Sequence, residues 1–186
     1  HTQNIKPNFN FSFQYRLINA PGFFKNQKTN HNNYLFTSRY ESVNKRYNAY
    51  LVLLGNKLQA GENGGIEDSS LADPDLKDRF NITTKLGGDQ SDSRSFFSTD
   101  VGTGNRYSEF TVLLRQQYDF GKKDSIVTDS TVVPLFFPRL RFEHTLQYSS
   151  RKYEFRDYVG DSVYYKTNYD TALNSSIDTF LLKDQW

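Results

Sequence analysis

The stretch that decides the fold is Asn8-Phe9-Asn10-Phe11-Ser12-Phe13-Gln14-Tyr15-Arg16-Leu17. Successive side chains of a β-strand point to opposite faces, so strict alternation of this kind predicts a strand and excludes a helix. The strand is longer than the usual five or six residues and has about the length that crosses a membrane when tilted. It predicts an aromatic face towards lipid, with Phe9, Phe11, Phe13 and Tyr15, and a polar face towards a lumen, with Asn10, Ser12, Gln14 and Arg16.

Composition fits two classes equally well, a wall that meets lipid and a soluble aromatic-rich β-domain. Hydrophobic residues make up only 36% of the 186 residues, and 16 Phe and 13 Tyr dominate them, an aromatic load suited to membrane interfaces. The 23 basic and 21 acidic residues are interspersed, so no basic face indicates a nucleic-acid partner. No run approaches the roughly 18 apolar residues of a membrane helix, so any crossing must use strands.

The absence of two residue types limits the chemistry and the context of the chain. Without cysteine there are no disulfides and no thiolate metal sites. Because the chain begins at His1 and contains no methionine, we expect it to be a mature or excised piece.

Two further strands follow, at about residues 34–43 and 46–57. In the first, Phe36 and Tyr40 share the lipid-facing parity, while Arg39 and Glu41 share the other. The second is apolar on both parities, so the turn must orient it: a two-residue loop at Asn44-Lys45 pairs Val43 with Arg46. This register places Ala49, Leu51 and Leu53 outwards and Asn48 and Tyr50 inwards, and a loop one residue longer or shorter would invert it.

The last two predicted strands cover about residues 107–120 and 139–156. Their lipid-facing candidates are Phe110, Val112, Leu114, Tyr118, Phe142 and Leu146. Their pore-lining candidates are Glu109, Arg115, Gln117, Asp119, Arg141 and Glu143. His144 falls on the apolar parity and is an exception to the pattern.

The connections alternate in length. Residues 25–33 are interpreted as a loop, residues 59–106 and 157–186 as long loops, and residues 121–138 as a shorter connection. Within the long loops we expect a short helix at Pro74 to Phe80, capped by Asp73, and strand-like pieces at about residues 163–169 and 179–182. Long outside loops and short periplasmic turns are typical of outer-membrane barrels. The fold prediction is therefore all-β, an antiparallel transmembrane β-barrel of which this chain, read as a single segment, supplies five strands.

No catalytic or cofactor-binding motif is present. His1, His31 and His144 lack ligand spacing, and the nucleophile, phosphate and dinucleotide motifs are missing. Glu41, Glu109 and Glu143 more often set ion preference on a lumen wall than act as acid and base. The acidic set Glu67, Asp68, Asp73, Asp75 and Asp78 lacks the EF-hand spacing for calcium and is diluted by Lys77 and Arg79, which favours a solvated loop. We expect no enzyme activity, no metal and no cofactor.

Several segments resemble a family described as putative porins of Bacteroidota outer membranes. They are Tyr15-Arg16-Leu17-Ile18-Asn19-Ala20-Pro21-Gly22-Phe23-Phe24-Lys25-Asn26-Gln27, His31-Asn32-Asn33-Tyr34, Gly55-Asn56-Lys57-Leu58-Gln59, Gly61-Glu62-Asn63-Gly64-Gly65, Phe97-Ser98-Thr99-Asp100, Gly104-Asn105-Arg106, Leu113-Leu114-Arg115-Gln116-Gln117-Tyr118-Asp119 and Pro138-Arg139-Leu140-Arg141-Phe142-Glu143-His144-Thr145. The resemblance covers roughly the first 155 residues. It implies an internal part of a longer barrel in the outer membrane and brings no catalytic residues.

The expected function is passive passage of small polar solutes or ions across the outer membrane. Two alternatives stay open at this point: a TonB-dependent transporter or secretion-system barrel, and a soluble glycan-binding β-domain whose loop aromatics stack on sugars. The expected partners are outer-membrane lipid and either the remainder of the parent barrel or other outer-membrane subunits.

Overall fold

Strands form almost all of the regular structure in a computed structural model of the chain, which describes residues 1–71, 81–88, 101–128, 131–157, 162–169 and 180–185. The strands of these residues are β1 (Thr2–Lys6), β2 (Phe9–Ala20), β3 (Thr29–Glu41), β4 (Tyr47–Gly61), β5 (Thr103–Thr128), β6 (Thr131–Asp157) and β7 (Phe180–Gln185). Two short helices accompany them, α1 (Asp68–Leu71) and α2 (Ser162–Tyr169). Neither of these helices is long and apolar enough to cross a membrane.

The strands form one sheet in the order β1-β2-β3-β4-β5-β6-β7, so each strand pairs with its neighbours in the chain. The pairs β1/β2 and β6/β7 are antiparallel, with Thr2 opposite Ser12 and Phe155 opposite Leu182. The sheet as a whole is nearly all antiparallel, which confirms the predicted all-β fold. In such a meander, successive connections alternate between the two ends of the strands.

The turn between β3 and β4 produces the predicted register. The backbone N–H of Ser42 donates to the Tyr47 carbonyl at 2.8 Å, which is the rung next to the predicted Val43 and Arg46 pair. Val43 to Arg46 themselves form the turn, which is closed by a 2.8 Å hydrogen bond from the Lys45 N–H to the Ser42 carbonyl. Lys45 has a φ of 55°. The register is therefore the one predicted for a two-residue loop, and the residues of β4 point to the predicted faces.

The predicted loop at residues 25–33 is wrong in its second half, because β3 begins at Thr29. These residues are polar on both parities and give no alternation, so the strand is defined by backbone pairing and amide contacts. Gly61 N–H donates to the Lys28 carbonyl at 2.6 Å, and Asn33 Nδ2 donates to Asn56 Oδ1 at 2.6 Å. Alternation was the wrong criterion for this part of the strand.

The predicted connection at residues 121–138 is also wrong, because β5 and β6 continue through it as 26- and 27-residue strands. Gly121, interpreted as a strand end, is a point of close strand approach. A Cβ at this position would lie 2.1 Å from the Phe137 carbonyl oxygen and 2.9 Å from the Phe136 ring. The residues from Ser125 to Thr128 and from Val132 to Phe137 include β-branched and aromatic types that favour strands.

The remaining predictions outside the long strands have mixed outcomes. β1 was not predicted, and the strand-like piece expected at residues 163–169 is helix α2. The piece expected at residues 179–182 corresponds to β7, which begins at Phe180 and pairs with β6. The helix expected at residues 74–80 lies outside the described residues.

Very few apolar side chains are buried. Among the residues whose burial is described, only Leu86 and Tyr165 are buried apolar residues, whereas Phe142, Tyr148 and Leu146 are more than half exposed. The residues group into two compact units: a first unit of His1–Gln14, Tyr34–Leu54 and Thr111–Ser149, and a second unit of Tyr15–Asn33, Gly55–Phe110 and Ser150–Trp186.

Candidate functional site

The first unit carries ion pairs on one face of the sheet. Arg115 on β5 donates to Glu143 on β6 through Nη2 and Oε2 at 3.0 Å. Arg141 on β6 forms a two-pronged pair with Asp119 on β5, with Nε to Oδ1 at 2.7 Å and Nη2 to Oδ2 at 3.0 Å. All four residues have odd numbers in their strands and so share one parity. The structure therefore brings together four of the predicted pore-lining residues.

Burial distinguishes the two pairs. The side chain of Asp119 is only 8% exposed, whereas those of Arg115 and Glu143 are both close to half exposed. Gln117 Nε2 also donates to Asp119 Oδ2 at 3.3 Å. A carboxylate that accepts two hydrogen bonds from a guanidinium and one from an amide is held in one geometry. The side chain of Asp119 is therefore held more firmly than the other carboxylates of this face.

The same face continues onto β3 and β4. Arg39 pairs with Glu41 at 3.4 Å and its guanidinium lies 5.7 Å from the centre of the Tyr50 ring. Contact of Arg39 with Tyr50 shows that Tyr50 shares the parity of the charged residues, as the predicted register required. Every arginine named on this face of the first unit thus has a carboxylate neighbour, and the three ion pairs sum to zero charge.

Strand β2 adds amides and hydroxyls. Asn10 Nδ2 donates to Asn4 Oδ1 at 2.5 Å and to the Gln3 carbonyl at 3.3 Å, and the Thr2 hydroxyl donates to Ser12 Oγ at 3.2 Å. Gln14 lies further along β2 and is half-buried. We call the side chains of Asn10, Ser12, Gln14, Arg39, Glu41, Tyr50, Arg115, Gln117, Asp119, Arg141 and Glu143 the polar face of the first unit.

The second unit has its own polar chain of contacts. Asn56 Nδ2 donates to Glu109 Oε2 at 3.2 Å, and Arg151 Nε donates to Glu109 Oε1 at 3.2 Å. Asn33 donates in turn to Asn56. Glu109 was predicted on the polar parity, and Arg16, the remaining pore-lining candidate, is exposed in this unit.

The opposite face of the first unit is aromatic from strand to strand. Phe11 of β2 stacks on Phe36 of β3, with ring centres 6.2 Å apart. Tyr40 of β3 lies 6.2 Å from Tyr47 of β4, and Phe120 of β5 lies 5.6 Å from Phe142 of β6. We call this surface the aromatic face; its members in the first unit are Phe9, Phe11, Phe13, Phe36, Tyr40, Tyr47, Val112, Leu114, Tyr118, Phe120, Phe142 and Leu146.

Two lipid-facing candidates, Tyr15 and Phe110, lie in the second unit. Tyr15 is 56% exposed and its hydroxyl donates to Asn32 Oδ1 at 2.8 Å. Phe110 is 38% exposed. Where contacts between candidates are described, they join polar candidates to polar ones and aromatic candidates to aromatic ones. That one set lines a pore and the other meets lipid stays a prediction.

Several polar groups of the second unit are buried, and the alternation pattern did not predict them. Asp157, 1% exposed, accepts hydrogen bonds from the Thr103 hydroxyl at 2.7 Å and from the Tyr165 hydroxyl of α2 at 2.9 Å. Glu154 is fully buried and pairs with Lys152 at 2.7 Å and with Arg156. The signal for this triad was present, because Lys152, Glu154 and Arg156 occupy alternate positions of one strand.

A second missed feature joins two connections of the second unit. Asn26, 5% exposed, donates through Nδ2 to Thr84 Oγ1 at 3.1 Å and to the Leu86 carbonyl at 3.0 Å. Its backbone φ is 58°, and a Cβ on Gly87 would lie 2.4 Å from Asn26 Nδ2. No local sequence rule connects residues nearly sixty positions apart, so only the folded structure reveals this link.

Metal ligands are not grouped in the described part of the chain. No set of three or more His, Asp or Glu side chains there could hold a metal ion. Of the acidic residues considered for calcium, Glu67 and Asp68 are described, and Asp73, Asp75 and Asp78 lie outside the described ranges.

Comparisons with known proteins give one match. A protein-family model described as "putative porin" matches residues 1–184, which is nearly the whole chain. Comparisons with curated proteins and with solved structures gave no match.

Proposed function

The chain belongs to this "putative porin" family, and from that premise we propose that it forms part of the wall of an outer-membrane β-barrel that lets small polar solutes or ions pass passively. The observation that carries the proposal is the separation of side chains into two faces. One face of the first unit presents three ion pairs and the other presents aromatic rings.

The aromatic face supports contact with lipid. Phe142 is 59% exposed and its neighbours Leu140 and Leu146 are both 54% exposed. A water-soluble protein rarely exposes a contiguous apolar surface of this kind, whereas the outer surface of a transmembrane barrel requires one. Among the residues whose burial is described, buried apolar side chains are scarce, which argues in the same direction against a soluble glycan-binding domain, because such a domain would need a core.

The polar face supports contact with water. Arg115, Glu143 and Arg141 are about half exposed, and lipid would make such charges costly at mid-membrane. The carboxylates compensate the arginines locally, so the face carries both signs of charge together with hydrogen-bonding amides. This chemistry suits transient contacts with polar solutes better than tight binding of one ligand.

The strands are long enough for this role. β5 and β6 have 26 and 27 residues, against the roughly 9–11 residues that cross a membrane when tilted. The proposal therefore includes strand segments that project into water beyond the membrane.

The experiment uses the full-length protein. Cell fractionation should place it with the outer membrane, and purified protein reconstituted in liposomes should admit small sugars and amino acids in a swelling assay. Protein in the aqueous fraction contradicts the barrel. Outer-membrane protein that leaves liposomes impermeable, or transports only with an energy-coupling partner, contradicts passive passage and favours the TonB-dependent or secretion-system alternative.

A further inference from the structure

The β5/β6 hairpin extends beyond its neighbour β4 at the end of the sheet that carries the β3/β4 turn. The Asp119 N–H donates to the carbonyl of Arg46, the last residue of that turn, at 2.8 Å. β4 begins one residue later, at Tyr47. Because β4 and β6 are the neighbours of β5 in the sheet, residues 121–128 of β5 pair with β6 alone among the described strands. We call residues 121–128 and 131–138 the ribbon.

The β5 strand of the ribbon has an open edge. In an antiparallel strand, the backbone groups of alternate residues point to the same neighbour, so residues 121, 123, 125 and 127 point to the side on which Asp119 meets Arg46. In the described part of the chain, no main-chain hydrogen bond joins these four residues to a strand or turn on that side. The Ser125 N–H donates instead to Oδ1 of its neighbour Asp124 at 2.8 Å. The edge therefore presents a row of backbone groups without a partner strand.

The β6 strand of the ribbon has a different edge. It contains Pro134 and Pro138, which have no N–H to donate. Residues four apart direct their backbone to the same edge of a strand, and prolines occur in sheets where that edge is unpaired. The β6 edge thus lacks two donors, whereas residues 121–128 contain no proline. A further strand would therefore add to the β5 edge.

The base of the ribbon is attached to the β3/β4 turn by an aromatic ring. A Cβ on Gly121 would lie 2.9 Å from the Phe136 ring, so this ring lies directly against the glycine backbone. The Arg46 guanidinium lies 4.5 Å from the centre of the same ring, a distance at which the cation is attracted to the ring face. The open edge consequently has a defined position beside the turn.

The side chains along the open edge indicate which segment would pair with it. Ile126 and Val127 are 55% and 73% exposed and lie on opposite faces, and Lys122 and Lys123 are exposed nearer the base. Cross-strand neighbours pair best as apolar with apolar and as opposite charges, and edge lysines discourage pairing with a basic strand. An antiparallel partner strand would therefore carry apolar residues first and acidic residues after them.

We propose that the β5 edge of the ribbon binds an extended segment of another protein, which adds to the sheet as an antiparallel strand. In strand addition, main-chain hydrogen bonds supply affinity and alternate side chains supply selectivity. A second copy fits this edge less well, because two copies in one membrane have β5 running in the same direction and would meet as parallel strands, the less stable pairing. With short turns in the periplasm, as is typical of outer-membrane barrels, the ribbon and its partner lie there too.

The first test uses a synthetic peptide and the full-length protein in detergent. The peptide alternates valine and threonine and ends in glutamates. Its matched control carries N-methyl groups on the backbone nitrogens, so it keeps every side chain but cannot donate main-chain hydrogen bonds. Fluorescence anisotropy measures binding, and hydrogen exchange locates it. We expect protection of the amides of Lys123, Ser125 and Val127, and binding of the N-methylated peptide weaker by at least about tenfold.

The second test changes the edge itself. Ser125→Pro removes an N–H from the open edge and should weaken peptide binding by at least about tenfold, whereas Ser125→Ala keeps the N–H and should bind as wild type does. Asp124→Ala should bind more tightly than Asp124→Asn, because the asparagine oxygen can still accept from the Ser125 N–H. Heat-dependent gel mobility measures the folded fraction of each variant. If Ser125→Pro does not fold, the two peptides compared on wild type decide the question.

Several results would overturn the proposal. They are equal binding of both peptides, equal binding to wild type and Ser125→Pro when both are folded, and protection confined to amides outside the ribbon. A wild-type oligomer that becomes monomeric in Ser125→Pro would also overturn it, because the edge would then belong to a second copy. Peptide binding by a protein that leaves liposomes impermeable contradicts passive passage alone, whereas a permeable protein that binds no peptide contradicts only the role of the ribbon.

Discussion

Asp119 and Arg141 face each other across the β5/β6 pair through two parallel hydrogen bonds of 2.7 and 3.0 Å. Of the three ion pairs on the polar face of the first unit, this one has the most enclosed carboxylate, with 8% exposure against 44% for Glu143 and 30% for Glu41. Two-pronged geometry and enclosure make an ion pair more than a surface contact. The pair should therefore matter to the fold and not only to the electrostatics of the face.

Replacement of Asp119 by Asn should destabilise the barrel more than replacement of Glu143 by Gln. The first change removes the charge that Arg141 contacts twice, whereas the second weakens an exposed pair worth at most about 1 kcal/mol. Urea unfolding of the two variants in detergent, followed by tryptophan fluorescence, measures the difference. Equal midpoints would show that the enclosure of Asp119 has no energetic consequence.

Leu114 and Arg115 are adjacent residues that should give opposite phenotypes. Leu114→Arg places a charge near mid-membrane at about 2–4 kcal/mol and should lower the folded yield. Arg115→Glu should assemble normally and shift the reversal potential of reconstituted channels towards cations, since it exchanges a positive for a negative charge.

The Arg115–Glu143 pair offers a matched control for the selectivity shift. The exchange Arg115→Glu/Glu143→Arg keeps the pair with its order reversed, so it should return the reversal potential to near the wild-type value. Normal assembly of Leu114→Arg with failed assembly of Arg115→Glu would mean that the two faces are interchanged.

Gly121→Ala should weaken the β5/β6 hairpin. The added methyl would meet the Phe137 carbonyl oxygen at 2.1 Å, which backbone cannot avoid without a shift, and crowding of this kind typically costs about 1–3 kcal/mol. Hydrogen exchange of the hairpin amides by mass spectrometry provides the measurement, with Lys123→Ala as a nearby control. Equal protection in both variants would contradict the close approach at Gly121.

Asn26 should hold the two connections of the second unit together. Asn26→Ala loses both hydrogen bonds to residues 84 and 86, at about 1–3 kcal/mol, and places Ala at a positive φ. Asn26→Gly loses the same bonds but accepts the backbone angle, so it should be the milder of the two. Limited proteolysis at Lys85 should be fastest in the Ala variant, intermediate in the Gly variant and slowest in wild type. Indistinguishable rates in all three would remove Asn26 from this role.

The long connections should lie outside the cell and the short turn in the periplasm. Trypsin added to intact cells should cut near Lys77 or Arg79 and spare Lys45, Arg46 and the Lys122-Lys123 pair. After the outer membrane is permeabilised, cleavage at the Lys45 turn should appear. Lys122 and Lys123 should stay resistant because they lie within β5. Cleavage at Lys45 in intact cells would invert this orientation.

The parts of the fold that sequence could predict are those where aromatic and polar side chains alternate with a period of two. Phe9 to Leu17 and Phe110 to Phe120 alternate in this way, and both segments lie in strands of the structure. Tyr50 could be oriented only through the turn, and its contact with Arg39 supports that reasoning. Two strand segments were not predicted, Thr29 to Asn33 and the hairpin around Gly121. They are held by main-chain pairing, which produces no alternation in the sequence.

The candidate contacts were predictable only as sets. Parity predicted that Arg115 and Asp119 share one face of β5 and that Arg141 and Glu143 share one face of β6. It did not predict which residues pair across the two strands, because the pairing depends on the register of β5 against β6. The link from Asn26 to Thr84 joins two connections that have no periodicity. Asp157 was assigned to a loop, whereas it ends β6 and receives hydrogen bonds from Thr103 and from a helix.

The seven described strands pair in the order in which they occur in the chain, with no crossover among them, and this order also determines how the sheet can assemble. Each new strand finds its partner in the strand just before it, so most of the chain closes only short loops, and the entropy lost in closing even the longest link grows slowly with its length. The 26- and 27-residue strands β5 and β6 form the most extensive of these local pairings. If the chain forms the membrane wall proposed above, it can insert hairpin by hairpin, and each strand added offers a free edge to the next.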